Sequence, residues 1–375
     1  MLNLGEDISI SDRTIKTILH DPEKSAKAVN LLYVHDYEPG ISRVKKGKGF
    51  SYIMGKKKVQ DERLLERIKK LVIPPAWTNV WICHQENGHL QATGFDLKKR
   101  KQYRYHSLWN SLRNHTKFYR LHQFGSAMPS IRRQIEKDLA LPGLPQEKVL
   151  AAVVCLMERT SIRVGNSMYE KLYGSFGLTT LKDKHVNIDG ANLQFTFKGK
   201  KGISHKISLK SKRLAAIVRQ CRDIPGKELF QYYDGQGDHK CIDSGMVNQY
   251  LKTISGEDFS AKDFRTWAGS VHALLAFKAT GTCDMITDTK RNIIAALDQV
   301  AAHLGNTRTV CRKYYVHPVI IDLYGSQKLH PYLETLYSKN VRDQYGLTAE
   351  EQLLMEILEQ EGLALKQETR HKDTG

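Results

Sequence analysis

The segment LGNTRTVCRKYYVHP, residues 304–318, carries the pattern from which the fold of the whole chain is assigned. Two adjacent tyrosines stand directly behind Arg312 and Lys313, and Pro318 stops the segment soon after them. A phenol has a pKa of about 10, and neighbouring cations raise the fraction present as phenolate. Tyrosine is also one of the side chains that form covalent intermediates. The segment therefore suits a nucleophile, although taken alone it more often marks a helix end with two solvated cations.

At 375 residues the chain exceeds the size at which a single hydrophobic core usually stops growing, so we expect two domains. Hydrophobic residues make up 41% of the chain, which is ordinary for a soluble globular protein. The longest apolar run, Val149–Met157, is too short to cross a bilayer. The first residues have neither a basic start nor an apolar region, so we expect no signal peptide and a cytoplasmic protein.

The charge of the chain is strongly positive, because 58 Lys and Arg against 40 Asp and Glu give a net charge of +18. Such a field attracts polyanions, and nucleic acid is the polyanion expected for a basic soluble protein. The cations are bunched within residues 43–48, 56–58 and 98–105, and the last bunch interleaves them with tyrosines, which suits phosphate contact combined with stacking. The residues predicted to attract phosphate are Lys45, Lys46, Lys98, Lys99, Arg100 and Lys101.

Residues 1–105 are predicted to form a small, mostly β domain. Gly and Pro turns separate short runs of β-forming residues. These runs are Leu31–Val34, Phe50–Ile53, Val80–Cys83 and Leu90–Gly94. A helix, Asp61–Leu71, interrupts them with apolar residues on one face, and a weak helical signal lies at residues 11–14.

Residues 106–345 are predicted to form a second, mostly α domain. Apolar residues recur at helical spacing in several segments. The segments are Ser107–Phe124, Ser130–Leu139, Gln146–Ser161, Ser211–Arg222, Ser244–Ser255, Ala261–Thr280 and Thr289–Leu304. In Asn192–Leu209, alternating apolar residues on both sides of a Gly- and Lys-rich turn predict a β-hairpin. The predicted fold class is therefore α+β.

Residues 346–375 are predicted to form an acidic amphipathic helix and tail. Thr348 and Glu351 have the spacing of a capping box, and apolar residues follow at helical spacing. This helix either docks on the basic body or serves as a handle for a partner, and the sequence does not choose between these roles.

Four further segments place a polar side chain beside well-patterned scaffold. Arg163 follows an apolar helix and precedes Gly165, which can let a second backbone approach closely. Lys200 lies at the tip of the hairpin, Arg265 lies between two aromatic residues at a helix start, and Asn306 precedes the tyrosines. Each also has a structural explanation: salt bridges for the arginines, a solvated turn for Lys200 and a helix C-cap for Asn306.

As a set, these segments resemble the type IB DNA topoisomerases. Residues 150–320 are similar to the catalytic domain of that family, and residues 30–105 to the N-terminal domain of its compact bacterial and viral members. The matching segments, in family order, are IPPAW at 73–77, KQYRYH at 101–106, SIRVGN at 161–166, FKGK at 197–200, KDFRT at 262–266 and RKYYVHP at 312–318.

The resemblance implies an active site formed by Arg163, Lys200, Arg265, Asn306 and Tyr315. It implies that Tyr315 attacks a DNA phosphodiester to give a 3′-phosphotyrosyl bond, after which the strand swivels and is resealed. Neither ATP nor a metal nor another cofactor is required, because the energy of the broken ester is kept in the protein–DNA bond. We expect Lys200 to be the general acid, since lysine can release a proton near neutral pH once it is buried.

The resemblance also implies a two-lobed clamp that closes round double-stranded DNA, formed by a monomer that associates with the nucleoid. The family's DNA-positioning residues correspond here to Gln102, Tyr103, Tyr105 and Tyr169.

This chain departs from the viral and eukaryotic members at Asn306, where they have histidine, whereas bacterial members have asparagine. An amide can donate a hydrogen bond to a phosphate oxygen but cannot shuttle a proton at neutral pH, so we expect Asn306 to be a donor to the transition state. Tyr315 is preferred to Tyr314 as the nucleophile because it has the family spacing to Asn306 and precedes the VHP tripeptide.

Two other functions remain open. A tyrosine recombinase shares the helical catalytic fold and the Arg, Lys, Arg, Tyr set, but it normally begins with a helical arm-binding domain, whereas residues 31–105 are β-rich. A basic architectural DNA-binding protein shares only the charge. Metal-dependent enzymes have little support, because the sequence contains no D-x-D pair, no P-loop lysine motif, no C-x-x-C and no H-E-x-x-H.

Overall fold

The structure, a computed structural model, describes residues 2–3, 9–10, 21–47, 49–97, 99–281, 286–338 and 343–372. The chain forms two compact units, one of Met1–Tyr119 with Leu365–Gly375 and one of Arg120–Ala364. The helical signal at residues 11–14 and the predicted phosphate-binding Lys98 lie outside the described residues.

The first unit is built on an antiparallel sheet of six strands. Its strands are β3 Ile41–Lys46, β4 Gly49–Met54, β5 Lys57–Lys58, β6 Thr78–Ile82, β7 Leu90–Phe95 and β8 Lys101–Tyr105, and a separate pair is formed by β1 Leu2–Asn3 and β2 Ser9–Ile10. The order across the sheet is β5-β4-β3-β6-β7-β8. The described helices before residue 107 are α1 Pro22–Ala28 and α2 Glu62–Lys70. The strands predicted around residues 50–53, 80–83 and 90–94 are confirmed.

One face of this sheet is buried under α2. Ile41, Ile82 and Ala92 are fully buried in an apolar cluster that also contains Ile68 of α2. Asp61 caps the helix by accepting hydrogen bonds from N–H groups of its first turn. The predicted helix is thus confirmed, and its apolar face is the one that packs on the sheet.

The predicted strand over Leu31–Val34 is wrong, because the segment forms only a single bridge, from Leu32 to Gly88. The backbone N–H of Val34 donates to Nδ1 of His89 at 3.1 Å rather than to a neighbouring strand. Both ends of the run are nonetheless buried. The apolar pattern therefore reflects burial of an irregular segment.

The second unit is mostly helical. α3 Ser107–Leu139 crosses the division between the units. The helices that follow are α4 Gln146–Thr160, α5 Ser167–Tyr173, α6 Lys212–Arg222, α7 Ser244–Ser255, α8 Ala261–Thr280, α9 Ile286–Leu304, α10 Arg308–Tyr314, α11 Pro318–Gly325, α12 His330–Glu334 and α13 Ala349–Lys372. Across the described chain, no helix is both long and apolar enough to cross a membrane.

The helices predicted in this region are confirmed except that α3 was predicted as two, Ser107–Phe124 and Ser130–Leu139. The structure has one continuous helix that contains Pro129. Proline removes a backbone donor and disfavours a helix interior, but Met128 and Ile131 beside it are fully buried in the core. Packing of the apolar face therefore outweighs the local cost of the proline.

The predicted hairpin is confirmed. β10 Asn192–Lys198 pairs antiparallel with β11 Ser204–Lys210, and β9 Val186–Asp189 adds a third strand beside β10. A second hairpin, β12 Gln231–Tyr233 with β13 His239–Cys241, was not predicted. Its strands are short and mostly exposed, so they carry no apolar alternation.

The N-terminal part of α13 docks on the second unit. Leu353, Leu354 and Ile357 are fully buried in the apolar core. The capping box is confirmed, because the side chains of Thr348 and Glu351 each accept a hydrogen bond from the backbone N–H of the other residue. Of the two roles left open for this helix, docking on the body is the one found for its first turns.

Glu351 also anchors α13 through a buried ion pair. Its carboxylate accepts two hydrogen bonds from Arg132, at 2.7 and 3.0 Å, and one from Nε1 of Trp267 at 2.8 Å. Arg132 donates in addition to Glu158 at 2.7 Å. A buried charge that loses its partner is costly, so this cluster fixes where α13 packs.

Replacing Glu351 by alanine is expected to lower the free energy of unfolding by about 3 kcal/mol, because Arg132 is left partly unpaired in a buried site. The matched control is Glu359→Ala on the same helix. Its carboxylate meets His122 at 3.1 Å in an exposed pair, so its loss is expected to cost less than about 1 kcal/mol. Urea unfolding of both variants measures the difference, and equal destabilisation would show that the buried pair does not hold the helix.

Candidate active site

Arg163 lies in a loop at the C-terminal end of α4. Ser161 ends that helix in the left-handed conformation, with a φ of 55°. Gly165 has a φ of 103° and lies so close to Gly177 that a Cβ on Gly177 would be 2.6 Å from the Gly165 Cα. The backbone N–H of Leu178 donates to the carbonyl of Arg163 at 2.9 Å. The close approach predicted at Gly165 is therefore present, and it fixes the backbone beside Arg163.

The side chain of Arg163 reaches the turn that follows α9. Its Nη2 donates to the side-chain oxygen of Asn306 at 2.7 Å and to the carbonyl of Gly305 at 3.2 Å. Gly305 has a φ of 56°, and the N–H of Asn306 donates to the carbonyl of Ala301 at 2.9 Å, which closes the helix end. Asn306 thus ends the helix and also holds Arg163.

Arg265 lies on α8 and is only 5% exposed. Its Nη2 donates to the carbonyl of Leu304, the last residue of α9, at 2.7 Å, and its Nη1 donates to the carbonyl of Ser161, the cap of α4. Carbonyls at a helix C-terminus lack partners within the helix and carry the negative end of its dipole, so a guanidinium satisfies both needs. One side chain thereby joins the ends of two helices.

Tyr315 follows α10 and packs, half-buried, against the core of the unit. A Cβ on Gly269 of α8 would be 2.6 Å from its carbonyl oxygen, and the hydroxyl of Ser270 donates to that oxygen at 3.3 Å. Its ring centroid is 5.2 Å from the guanidinium carbon of Arg265. Because Arg265 and Gly269 are one turn apart, the same face of α8 carries the cation near the Tyr315 ring and the glycine against which the Tyr315 backbone packs. Tyr314, by contrast, is 41% exposed.

Lys200 lies in the turn between β10 and β11, which forms a 3-10 turn over Lys200–Gly202. Its Nζ is 5.8 Å from the ring centroid of Tyr169 on α5. Burial lowers the pKa of Lys200, and the positive charge of Arg163 lowers it further. Lys200 and Tyr169 are therefore neighbours, and Lys200 lies within electrostatic reach of Arg163.

The cluster presents hydrogen-bond donors that lack acceptors. Nδ2 of Asn306 and Nε of Arg265 are buried and have no hydrogen-bond partner among the described residues. Nor does any carboxylate of the described chain pair with Arg163, Lys200 or Arg265. Burial and the charge of Arg265 lower the pKa of Arg163 to about 10, so its guanidinium stays charged at neutral pH. An unpaired buried donor costs about 1–3 kcal/mol, and an anion with several oxygens would satisfy these groups.

Several of the predicted DNA-binding residues are exposed in the first unit. Tyr103 and Tyr105 on β8 stack with 5.9 Å between ring centroids. Lys45 and Lys46 lie at the exposed end of β3, and Lys99 precedes β8 with a φ of 55°. These side chains are placed where a polyanion can reach them.

Three other predicted residues of this unit already have carboxylate partners. Arg100 and Gln102 donate to Asp96 at 2.6 and 3.0 Å, and Lys101 pairs with Asp36 at 2.5 Å. Their positive charge or donor capacity is therefore partly used within the protein, and contact with phosphate or bases requires an exchange of partners.

His205 on β11 lies beside the cluster and was not among the predicted site residues. Its ring stacks on that of Phe197, with 5.0 Å between centroids, and faces Gly305. Alternation along β11 places it on the inner face with Ile207 and Leu209, which was the available signal. Only the structure shows that this face meets the turn after α9.

Two family models match this chain. Residues 100–330 match the family model described as eukaryotic DNA topoisomerase I, catalytic core, and residues 49–96 match that of bacterial DNA topoisomerase IB, N-terminal domain. The DNA topoisomerase 1B of Acanthamoeba polyphaga mimivirus is 31% identical over 293 residues, which cover 76% of this chain and 87% of that protein. The DNA topoisomerase 1B of Vaccinia virus (strain Copenhagen) is 25% identical over 271 residues, which cover 70% of this chain and 82% of the Vaccinia protein.

The first family model covers more than half of the chain and contains all five residues that were predicted to be catalytic. The second lies in the β-rich region that was the argument against a tyrosine recombinase. A purely architectural DNA-binding role has no support from either match. The chain therefore belongs to the type IB DNA topoisomerase family.

Proposed function

We propose that this topoisomerase relaxes supercoiled double-stranded DNA by breaking and resealing one strand, with Tyr315 as the nucleophile. The phenol oxygen forms a bond to phosphorus while the bond from phosphorus to the 5′-oxygen breaks, which gives a 3′-phosphotyrosyl bond and a free 5′-hydroxyl. The strand rotates, and the 5′-hydroxyl then attacks the same phosphorus. The observation that carries the proposal is the pair of unpaired buried donors, on Asn306 and Arg265, in the cluster that holds Tyr315.

Arg163, Arg265 and Asn306 are proposed to hold the phosphate. The displacement passes through a pentacoordinate phosphorus whose equatorial oxygens gather negative charge, and fixed donors stabilise that charge. Arg163 holds Asn306 by its side-chain oxygen, which leaves the amide nitrogen as the donor. Loss of one such donor typically costs about 100- to 1,000-fold in rate.

Lys200 is proposed to protonate the 5′-oxygen as it leaves. Burial and the charge of Arg163 lower its pKa, and a lower pKa makes the ammonium group a better proton donor. The amide of Asn306, by contrast, has no proton to release at neutral pH. The proton therefore comes from Lys200.

This scheme needs neither a nucleotide nor a metal nor another cofactor. The energy of the phosphodiester is kept in the phosphotyrosyl ester, so resealing requires no further input. The cations that stabilise the transferred phosphate come from the protein's own side chains.

We further propose that residues 1–105 and 106–345 form two lobes of a clamp round the duplex, with residues 346–375 as a separate C-terminal helix and tail. Exposed tyrosines and lysines of β3 and β8, with Tyr169 on α5, position the DNA. Because phosphate contacts release bound counterions, binding weakens steeply with salt. We expect the protein to act as a monomer on DNA in the cytoplasm, associated with the nucleoid.

The purified protein alone is expected to relax supercoiled plasmid in the presence of a chelator and without nucleotide. Tyr315→Phe should lose both relaxation and covalent capture of DNA after quenching with denaturant. Tyr314→Phe is the matched control and should keep both, because that ring is exposed beside Lys313 rather than seated on α8. Gel assays of topoisomers and of protein–DNA adducts measure these outcomes. Activity that depends on magnesium and nucleotide, or on paired target sites, would contradict the proposal.

Lys200→Ala is expected to slow cleavage of an ordinary strand by about 100-fold or more, since a general acid contributes that much. A strand whose 5′-bridging oxygen is replaced by sulfur should be cleaved at close to the wild-type rate, because a thiolate leaves without a proton. Single-turnover cleavage of both strands tests this role, and equal slowing of the two would refute it.

Gly269→Ala is expected to slow strand cleavage by about 100-fold, because its Cβ would push the backbone of Tyr315 out of position. Binding of DNA should be unchanged, since the variant alters no exposed cation. Gly325→Ala on α11 is the control, because an added Cβ there meets no atom within 4 Å. Assays of strand cleavage and of DNA binding on both variants separate a loss of catalysis from a loss of binding. A fully active Gly269→Ala would show that packing of Tyr315 against Gly269 does not position the nucleophile.

A further inference from the structure

His205 lies between two turns that carry proposed catalytic residues. One is the turn after β10, where Gly199 precedes Lys200, and the other is the turn after α9, where Gly305 precedes Asn306. The imidazole comes from β11 and is half-buried. Neither the resemblance nor the sequence pattern assigned it a role.

The ring is in close contact with both glycines. A Cβ on Gly199 would be 2.6 Å from Cδ2 and from Nε2 of His205, and a Cβ on Gly305 would overlap the ring from the other turn. Gly199 has a φ of −90°, which any residue can adopt, so it needs to be glycine for space rather than for backbone conformation. The imidazole also stacks on Phe197 of the neighbouring strand β10, with 5.0 Å between ring centroids and 18° between the planes. The imidazole therefore fills the space between the two turns.

The contacts of His205 depend on its shape rather than on its polarity. The ring nitrogens make no hydrogen bond to any residue that the structure describes. Burial lowers the pKa of His205, and the charges of Arg163 and Arg265 lower it further, so the imidazole is neutral at pH 7. A neutral ring can lie among cations without repelling them.

We propose that His205 is a positioning residue that holds the Lys200 turn at a fixed distance from the Gly305–Asn306 turn, so that Lys200 reaches the leaving 5′-oxygen. The inference rests on the proposed roles of Lys200 as acid and Asn306 as phosphate donor. In that step the Tyr315 oxygen bonds to phosphorus, the bond to the 5′-oxygen breaks, and the proton passes from the Lys200 ammonium to that oxygen. Removing the spacer lets the acid move away while the phosphate contacts and the nucleophile remain.

The test compares His205→Ala and His205→Phe in single-turnover cleavage of two strands, one with an ordinary 5′-bridging oxygen and one with sulfur. For His205→Ala we expect cleavage of the oxygen strand to fall about 10-fold or more, because general-acid catalysis is impaired, and cleavage of the sulfur strand to change less than about threefold. His205→Phe keeps a flat ring of similar thickness and should behave like wild type on both strands. Ser208→Ala, an exposed position on the same strand, is the control.

Cleavage of the sulfur strand also reports whether each variant folds. The inference is overturned if His205→Ala slows both strands equally, if it slows neither, or if His205→Phe is as slow as His205→Ala on the oxygen strand, since the ring nitrogens would then matter. Assays of Lys200→Ala in the same experiment separate a failure of this inference from a failure of the proposed function. If Lys200→Ala slows cleavage of both strands equally, Lys200 is not the general acid. If Lys200→Ala slows only the oxygen strand while His205→Ala slows both, only the positioning role of His205 is contradicted.

A second variant approaches the same contact from the other side. The methyl group of Gly199→Ala should press on the imidazole and slow cleavage of the oxygen strand selectively. The double variant, Gly199→Ala with His205→Ala, should lose less cleavage rate than the product of the two single losses, because the methyl group then fills the space left by the imidazole. Strictly multiplicative effects in this cycle would overturn the contact as the cause.

Discussion

The guanidinium of Arg265 donates to carbonyls at the ends of two helices, and the arrangement of the site depends on this interaction. The carbonyl of Ser161 ends α4, from which the Arg163 loop departs, and the carbonyl of Leu304 ends α9, from which the Asn306 turn departs. Hydrogen bonds that involve a charged group are worth about 1.5–3 kcal/mol each. The face of α8 that carries Arg265 also carries Gly269, against which the backbone of Tyr315 packs. One side chain therefore aligns three segments that are distant in sequence, and its remaining donor, Nε, stays unpaired.

The C-terminal helix α13 contacts the helix that carries Arg265. Glu351 of α13 binds both Arg132 and Trp267, and Trp267 lies two residues beyond Arg265 on α8. The match to the catalytic-core model ends at residue 330, so α13 lies outside the matched region. The acidic character of α13 is accordingly partly structural, because at least one of its carboxylates pairs with Arg132 within the protein.

The sequence predicted those parts of the fold whose pattern is local. The helices with wide apolar faces and the hairpin from Asn192 were predicted because burial of one face imposes a 3.6- or 2-residue period. Parts that depend on distant residues could not be predicted: Pro129 is tolerated inside α3 only because the residues beside it are buried in the core. In the same way, the pairing of Lys101 with Asp36, 65 positions earlier, is invisible in a run of cations.

For the site, the resemblance supplied the five catalytic candidates, and the structure brings Arg163, Asn306, Arg265 and Tyr315 into one chain of contacts with Lys200 nearby. It could not supply what positions them. His205 contacts Gly305, a hundred residues further along the chain, and Gly269 packs against the backbone of Tyr315, so no local pattern in the sequence indicates either contact.

The most direct test of the account is to find which atom of the protein carries the DNA. Adduct trapped with denaturant is digested with nuclease and trypsin, and the peptide Tyr314–Lys328, which contains Tyr314, Tyr315 and Tyr324, is fragmented in a mass spectrometer. A nucleotide remnant is expected on Tyr315 alone, linked through its 3′-phosphate. A remnant on Tyr314 or Tyr324, linkage through a 5′-phosphate, or no modified peptide from an active preparation would contradict it.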